Sequence, residues 1–194
     1  MKKQMVLSII IILTMSKINS QKMELPYYEI PNYPENYNQG TVAARIVDGL
    51  GFRYYWATEG LRDVDLKFKP NDEARTTEET VDHILGLSTV IFNSAMKIEN
   101  SKNDFSKLTF SEKRKLTLYN LKTAADIFRS STDLTAFTIV FKNEKGTTEL
   151  PFWNMINGPI ADALWHCGQI VSFRRSSGNP YNSKASVLTG KVRE

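Results

Sequence analysis

Four stretches of the chain place apolar residues at helical spacing. Between Thr41 and Thr58, Val42, Ile46 and Leu50 with Val47 and Tyr54 follow the three-to-four rhythm of a helix with one buried face. Gly49 and Gly51 interrupt it, and such interruptions suit a point where another helix packs closely. A second helix starts at Thr76 or Thr77, because Thr76 and Glu79 have capping-box spacing. It continues through Val81, Ile84, Leu85, Ser88, Ile91, Phe92 and Ala95. A third opens at Ser111 and runs to about Ser130, with Leu116, Tyr119, Ala124, Ile127 and Phe128 as its buried residues. The fourth begins at Asn157-Gly158-Pro159, with Gly158 or Asn157 as cap and Pro159 in the first turn. Ile160, Ala163, Leu164, Ile170 and Val171 follow, and Ser177-Gly178-Asn179-Pro180 stops it. This pattern predicts Ile84, Ile127, Leu164 and Val171 buried between the helices.

The texture changes between the third and fourth helices. Phe137 to Phe141 is rich in β-formers, Asn143-Glu144-Lys145-Gly146 is a turn signal, and Thr147 to Trp153 returns as a second strand. Pro151 confines that strand to an edge. A lone hairpin is marginal in water, so it must pack against the helices. Leu61 to Arg75 reads as a charged loop and Lys97 to Lys107 as a polar connection. The fold class is therefore all-α: a four-helix bundle over residues 41–180 with a small β-hairpin between helices 3 and 4. Residues 181–194 form a C-terminal tail. Residues 21–40 hold Pro26, Pro31 and Pro34 among four tyrosines, an extended arm that either drapes over the bundle or hangs loose.

The first twenty residues explain most of the charge. The chain carries 25 basic and 21 acidic residues, a formal net of +4. Lys2, Lys3 and Lys17 precede any acid, and without them 22 bases face 21 acids. A net of +1 removes support for a nucleic-acid partner. Met1-Lys2-Lys3 followed by the apolar run Val6 to Met15 reads as a signal peptide over residues 1–20. Ten helical residues rise about 15 Å, too short to cross a bilayer. Ser20 suits the position before a cleavage point, so the mature chain starts near Gln21; the competing reading is an uncleaved anchor. Cleavage makes the protein exported, periplasmic or secreted, with no stable membrane association. The single cysteine, Cys167, allows no internal disulfide.

The two histidines, His83 and His166, carry the chemistry. Asp162 and His166 are four apart on the fourth helix and share a face, and Gln169 follows three further on. His83 lies on the second helix beside Glu79, Thr80 and Leu87. Side-by-side packing of these helices would bring two imidazoles and a carboxylate together. Three protein ligands with a vacant position is the arrangement a catalytic metal needs. Asp162 has a second reading, as an acid favoured at a helix N-terminus by the macrodipole. Cys167 points about 100° away from His166, so it reads as a small buried residue rather than an activated nucleophile. Arg53-Tyr54-Tyr55-Trp56 and Glu59 give the first helix a polar-aromatic end, lining a pocket over the metal or serving as core aromatics. Arg174 and Arg175 suit the negative end of the fourth helix, and Arg175 is free to hold an anion. No phosphate loop, dinucleotide fingerprint, G-x-S-x-G elbow or CxxC pair is present.

The segment Asp162-Ala163-Leu164-Trp165-His166-Cys167-Gly168-Gln169 resembles the last-helix signature of the DinB superfamily. That signature is usually H-x-x-x-H-x-G-Q, with an earlier histidine on the second helix. His166, Gly168 and Gln169 match, and His83 within Glu79-Thr80-Val81-Asp82-His83-Ile84-Leu85 sits at the corresponding stage. Position 162 departs, with aspartate where the family has histidine. The resemblance implies an up-down-down-up bundle, often a homodimer, holding a divalent ion on His83, Asp162 and His166. Zinc or nickel is the expected metal, with iron or manganese as the next choices. Some members are metal-dependent thiol-transferases or isomerases; if this chain is an enzyme, its metal would act as a Lewis acid for hydrolysis or thiol/group transfer on a small molecule, with Glu79 or Glu59 as proton acceptor. The alternative is a non-catalytic bundle that keeps metal for stability or binds a partner through its tyrosine-rich arm.

Overall fold

The structure of the protein, a computed structural model, describes residues 24–144 and 146–194. The signal-like segment 1–20 lies outside them. Four long helices dominate: α1 (Gln39–Thr58), α3 (Thr77–Met96), α4 (Phe110–Arg129) and α6 (Ala161–Ser176). A single turn, α2 (Asp63–Leu66), interrupts the loop after α1, and another, α5 (Phe152–Met155), precedes α6. Three of the long helices start on reciprocal caps: Asn38 with Thr41, Thr76 with Glu79, and Thr109 with Glu112.

Helix directions follow from which ends meet. Arg114 at the start of α4 bonds Thr58 and Tyr55 at the end of α1, so α1 and α4 are antiparallel. Lys113 reaches Asp82 and Asn120 reaches Ser88, so α3 and α4 run the same way. Phe173 near the end of α6 packs on Phe68, just ahead of α3, and Arg174 reaches the last carbonyls of α1. Thus α1 and α6 point one way, α3 and α4 the other, with α1–α4, α4–α3, α3–α6 and α6–α1 as neighbours. The core between them holds Val47, Leu50, Tyr54, Ile84, Leu118, Leu121 and Phe128.

Several expected positions shift. Val42 is 47% exposed and Leu116 is 37% exposed, whereas Thr117, Leu118, Leu121 and Ala125 form the inner face of α4. Ala124 and Phe128 are buried as expected, and the first half of α4 turns Leu118 and Leu121 inward between α1 and α3 in place of Leu116. Ile84 is fully buried, but Ile127, Leu164 and Val171 are only partly so. The inner positions of α6 are Ala163 and Ile170, as the pattern places them, joined by Cys167 and Arg174. Of Gly49 and Gly51, it is Gly51 that marks a close approach, where a Cβ would collide with the Tyr27 ring; the neighbour is the arm and not a helix.

The hairpin pairs β1 (Ile139–Asn143) with β2 (Gly146–Leu150), Ile139 opposite Leu150 and Asn143 opposite Gly146. Gly146 has φ +130, a turn conformation that glycine tolerates best. The return strand stops before Pro151, and the fourth helical segment starts earlier than Asn157. Pro151 precedes α5, a π-turn spans Ile156–Ile160, and Gly158 breaks helical geometry there (φ −92, ψ −106). Asn157 caps nothing; Gly158 permits the break and Pro159, lacking an N–H, opens the path to α6. The hairpin packs on the bundle through Ile139 and through Phe137, whose ring edges against Phe128.

The arm lies against the bundle. Tyr27 and Ile30 are buried, and the Tyr27 hydroxyl donates to Asp48 Oδ1 at 3.2 Å. Ile30 N–H donates to the Gly190 carbonyl in the C-terminal segment, which folds into a minimal hairpin of β3 (Ala185–Ser186) and β4 (Lys191–Val192). Among the described residues, no helix is long and apolar enough to cross a membrane.

Candidate metal centre

His83 stands on the second turn of α3, and Asp162 and His166 on the first two turns of α6. The break at Gly158 sets the start of α6 beside α3, so Asp162 faces across the interface. Its two carboxylate oxygens divide between the histidines: Oδ2 is 3.0 Å from His83 Nε2 and Oδ1 is 3.2 Å from His166 Nε2. The imidazoles meet edge to face with centroids 4.5 Å apart. One ligand atom from each of the three residues lies within 4.8 Å of the others. His166 is the most enclosed at 14% side-chain exposure, and Asp162, at 40%, leaves the cluster open toward solvent. Asp162 does occupy the first turn of α6, where the macrodipole favours an acid. Yet α6 has no side-chain cap bond, and the carboxylate is engaged by the imidazoles.

Gln169 defines the local electrostatics. Its Oε1 lies 2.6 Å from His166 Nδ1, so Nδ1 carries the proton and donates to it. In the neutral ring that leaves the Nε2 lone pair facing a carboxylate oxygen. Two acceptors face each other there, and only a cation between them, a proton or a metal ion, makes the contact favourable. A histidine ligand oriented by a hydrogen bond at its other nitrogen is the usual arrangement around a bound metal. Two imidazole nitrogens and one carboxylate oxygen form a donor set able to hold a divalent ion.

The other singled-out residues stand elsewhere. Glu79 accepts from Thr76 N–H at 2.8 Å and from its hydroxyl at 3.2 Å. Those bonds hold its carboxyl below the usual range. Glu59 pairs with the Arg114 guanidinium at 2.6 Å, and Arg114 also lies over the Tyr55 ring. Neither glutamate belongs to the three-residue cluster. Cys167 is buried, and burial pushes its thiol up to about 12. Tyr54 is wholly buried, and Trp56 donates its indole N–H to the Tyr28 carbonyl, with Arg53 and Trp56 facing the α1 side of α6. Arg174 is buried and donates to the carbonyls of Trp56, Ala57 and Glu59, capping α1 rather than its own helix. Arg175 lies over the Tyr181 ring. The orienting bond from His166 to Gln169 is the one site feature that residue types alone do not disclose, although the three-residue spacing was a usable signal.

No protein-family model, no curated protein and no solved structure matches this chain.

Proposed function

We propose that the protein is a DinB-like metal-dependent enzyme whose His83, Asp162 and His166 hold one divalent ion, zinc or nickel before iron or manganese. The observation that carries this reading is the convergence of three ligand atoms within 4.8 Å from two helices. Gln169 supports it by fixing the His166 tautomer, and the helix directions agree with the up-down-down-up order the resemblance implies. A bound ion there supplies Lewis acidity toward water or a thiol, for hydrolysis or group transfer on a small molecule. Asp162 would complete the ligand set, and the open side of the cluster admits substrate. Export, with residues 1–20 removed, and homodimer formation complete the reading.

Calorimetric titration of zinc and nickel into the metal-stripped chain tests the centre. Wild type is expected to bind one equivalent. His166→Ala loses a nitrogen ligand and tight binding, Asp162→Ala weakens binding, and Asp162→His retains it, since imidazole is a good ligand for both metals. Equal binding by wild type and Asp162→Ala would make Asp162 a helix-end carboxylate only. A wild type that binds neither ion would remove the enzymatic reading. The second reading, a non-catalytic partner-binding bundle, draws on Tyr33 and Tyr37, which the arm leaves 76% and 94% exposed.

A further inference from the structure

The seam between α1 and α6 contains a cavity on the opposite side of α6 from the metal centre. It measures about 230 Å³, and its walls include Phe52, Trp56, Leu164, Val171 and Tyr181. Arg53 is the charged residue in this apolar lining. Its guanidinium folds back along α1, where Nη1 donates to the Gly49 carbonyl at 3.0 Å. Arg53 is half-buried, and among the described residues no carboxylate pairs with it. Arg175, outside the lining, lies over the ring of Tyr181, 5.5 Å from its centroid.

A partly desolvated cation without a counter-charge is costly unless an anion joins it, and a guanidinium presents the paired donors that match a carboxylate. The surrounding rings set the rest of the ligand. An apolar cavity of roughly 150 Å³ accommodates benzene. The larger volume here leaves room for one aromatic ring and a short acid. We propose that this cavity binds a small aromatic carboxylate, its ring among Phe52, Trp56 and Tyr181 and its carboxylate on Arg53. The site is independent of the metal reading, because His83, Asp162 and His166 meet at the α3 face of α6.

Calorimetric titration of the full, metal-stripped chain with 3-phenylpropionate tests it, against 3-phenylpropan-1-ol (the ring without the charge) and acetate (the charge without the ring). The acid is expected to bind at least about tenfold more tightly than the alcohol, a modest return for a charge-assisted hydrogen bond. Acetate is expected to bind no better than the alcohol. Arg53→Met should erase the preference for the acid. Gly168→Leu offers a second variant: Gly168 lines the cavity, and a Cβ there meets nothing within 4 Å, so bulk can enter without disturbing the backbone. It should abolish binding of the acid with Arg53 intact. His166→Ala, which disables the metal centre, should leave the affinity unchanged. Equal binding of acid and alcohol, equal binding of acid and acetate, no binding by wild type, or full binding by Gly168→Leu would each overturn the proposal. So would a loss of affinity in His166→Ala.

Discussion

At the scale of single residues, one fully enclosed carboxylate lies away from the metal centre. Asp65 on α2 has a fully enclosed side chain. It accepts from Arg62 through Nε, Nη2 and the backbone N–H, from the Ser177 hydroxyl and from the Asn179 amide. The Arg62 bonds foremost, against the opposing effect of burial, hold the carboxyl well below the usual carboxylate range. An unfolded aspartate titrates near about 3.9. As acid is added, the unfolded chain therefore takes up the proton first. The stability from Asp65 is complete above about pH 5 and is lost as pH falls toward the folded value. Asp65→Asn is expected to lower stability at neutral pH by roughly 2–4 kcal/mol and to flatten the acid limb of the stability curve. Urea midpoints measured from pH 7 down to pH 2 check this, and an acid limb as steep as wild type would refute it. Nothing in the sequence announces this network, since Asp65 and Ser177 are 112 positions apart. Arg174 was equally hidden: its arginine type suited its own helix end, where it does donate to the Asn179 carbonyl, yet it also reaches the carbonyls at the end of α1. The histidine cluster differs because two of its three residues are local. Asp162 and His166 declare a shared face by spacing, and only His83 needed the family resemblance to bring it across.

At the scale of the helix, small residues have opposite meanings that their spacing does not distinguish. Gly168 is exposed on α6, and a Cβ there would meet nothing within 4 Å, so a methyl fits without contact. Gly40 opens α1, and a Cβ on it would collide with the backbone carbonyls of Phe128 and Ser131 at the end of α4. Gly168→Ala is expected to raise stability by about 0.5–1 kcal/mol through helix propensity and reduced freedom of the unfolded chain. Gly40→Ala is expected to lower it by about 1–3 kcal/mol, because backbone cannot yield as a flexible side chain does. Equilibrium urea denaturation reads both, and shifts of the same sign would contradict the packing described. The existence and order of the long helices were legible because a periodic apolar face is a local property. Their exact faces were less so, and Leu116 shows why. α4 carries apolar residues in two phases, and contact with α1 and α3 together selects the one with Leu118, Leu121, Ala124, Ala125 and Phe128 and leaves Leu116 outside it. The early start of the last helical segment was obscured in the same way, since Asn157-Gly158-Pro159 is a cap signal that the fold uses as a break inside a longer helical path.

At the scale of the whole molecule, the arm and the tail complete the core. Tyr27 adopts φ +75, a conformation that bulky residues seldom take, and its ring covers the bare backbone of Gly51. Its hydroxyl reaches Asp48, which also pairs with Arg129 at 2.9 Å, so one arm residue is tied to both α1 and α4. Glu29 accepts from Val192 N–H and pairs with Lys191, joining segments 163 positions apart. Proline content marked residues 21–40 as extended, but only these long-range contacts decide that the arm is bound. Signal removal before Gln21 would therefore keep the arm's contacts, whereas a cut beyond it would open the core. A chain of residues 21–194 is expected to match the full chain in its denaturation midpoint. A chain of residues 37–194 keeps the Asn38 cap of α1 but loses the burial of Tyr27 and Ile30. At about 1.5–3 kcal/mol for each large side chain, it should be less stable by roughly 3–6 kcal/mol. N-terminal sequencing of protein from its native compartment should read Gln21 first. A native start beyond Ile30, or equal stability of the two shortened chains, would mean that the arm is not part of the folded core.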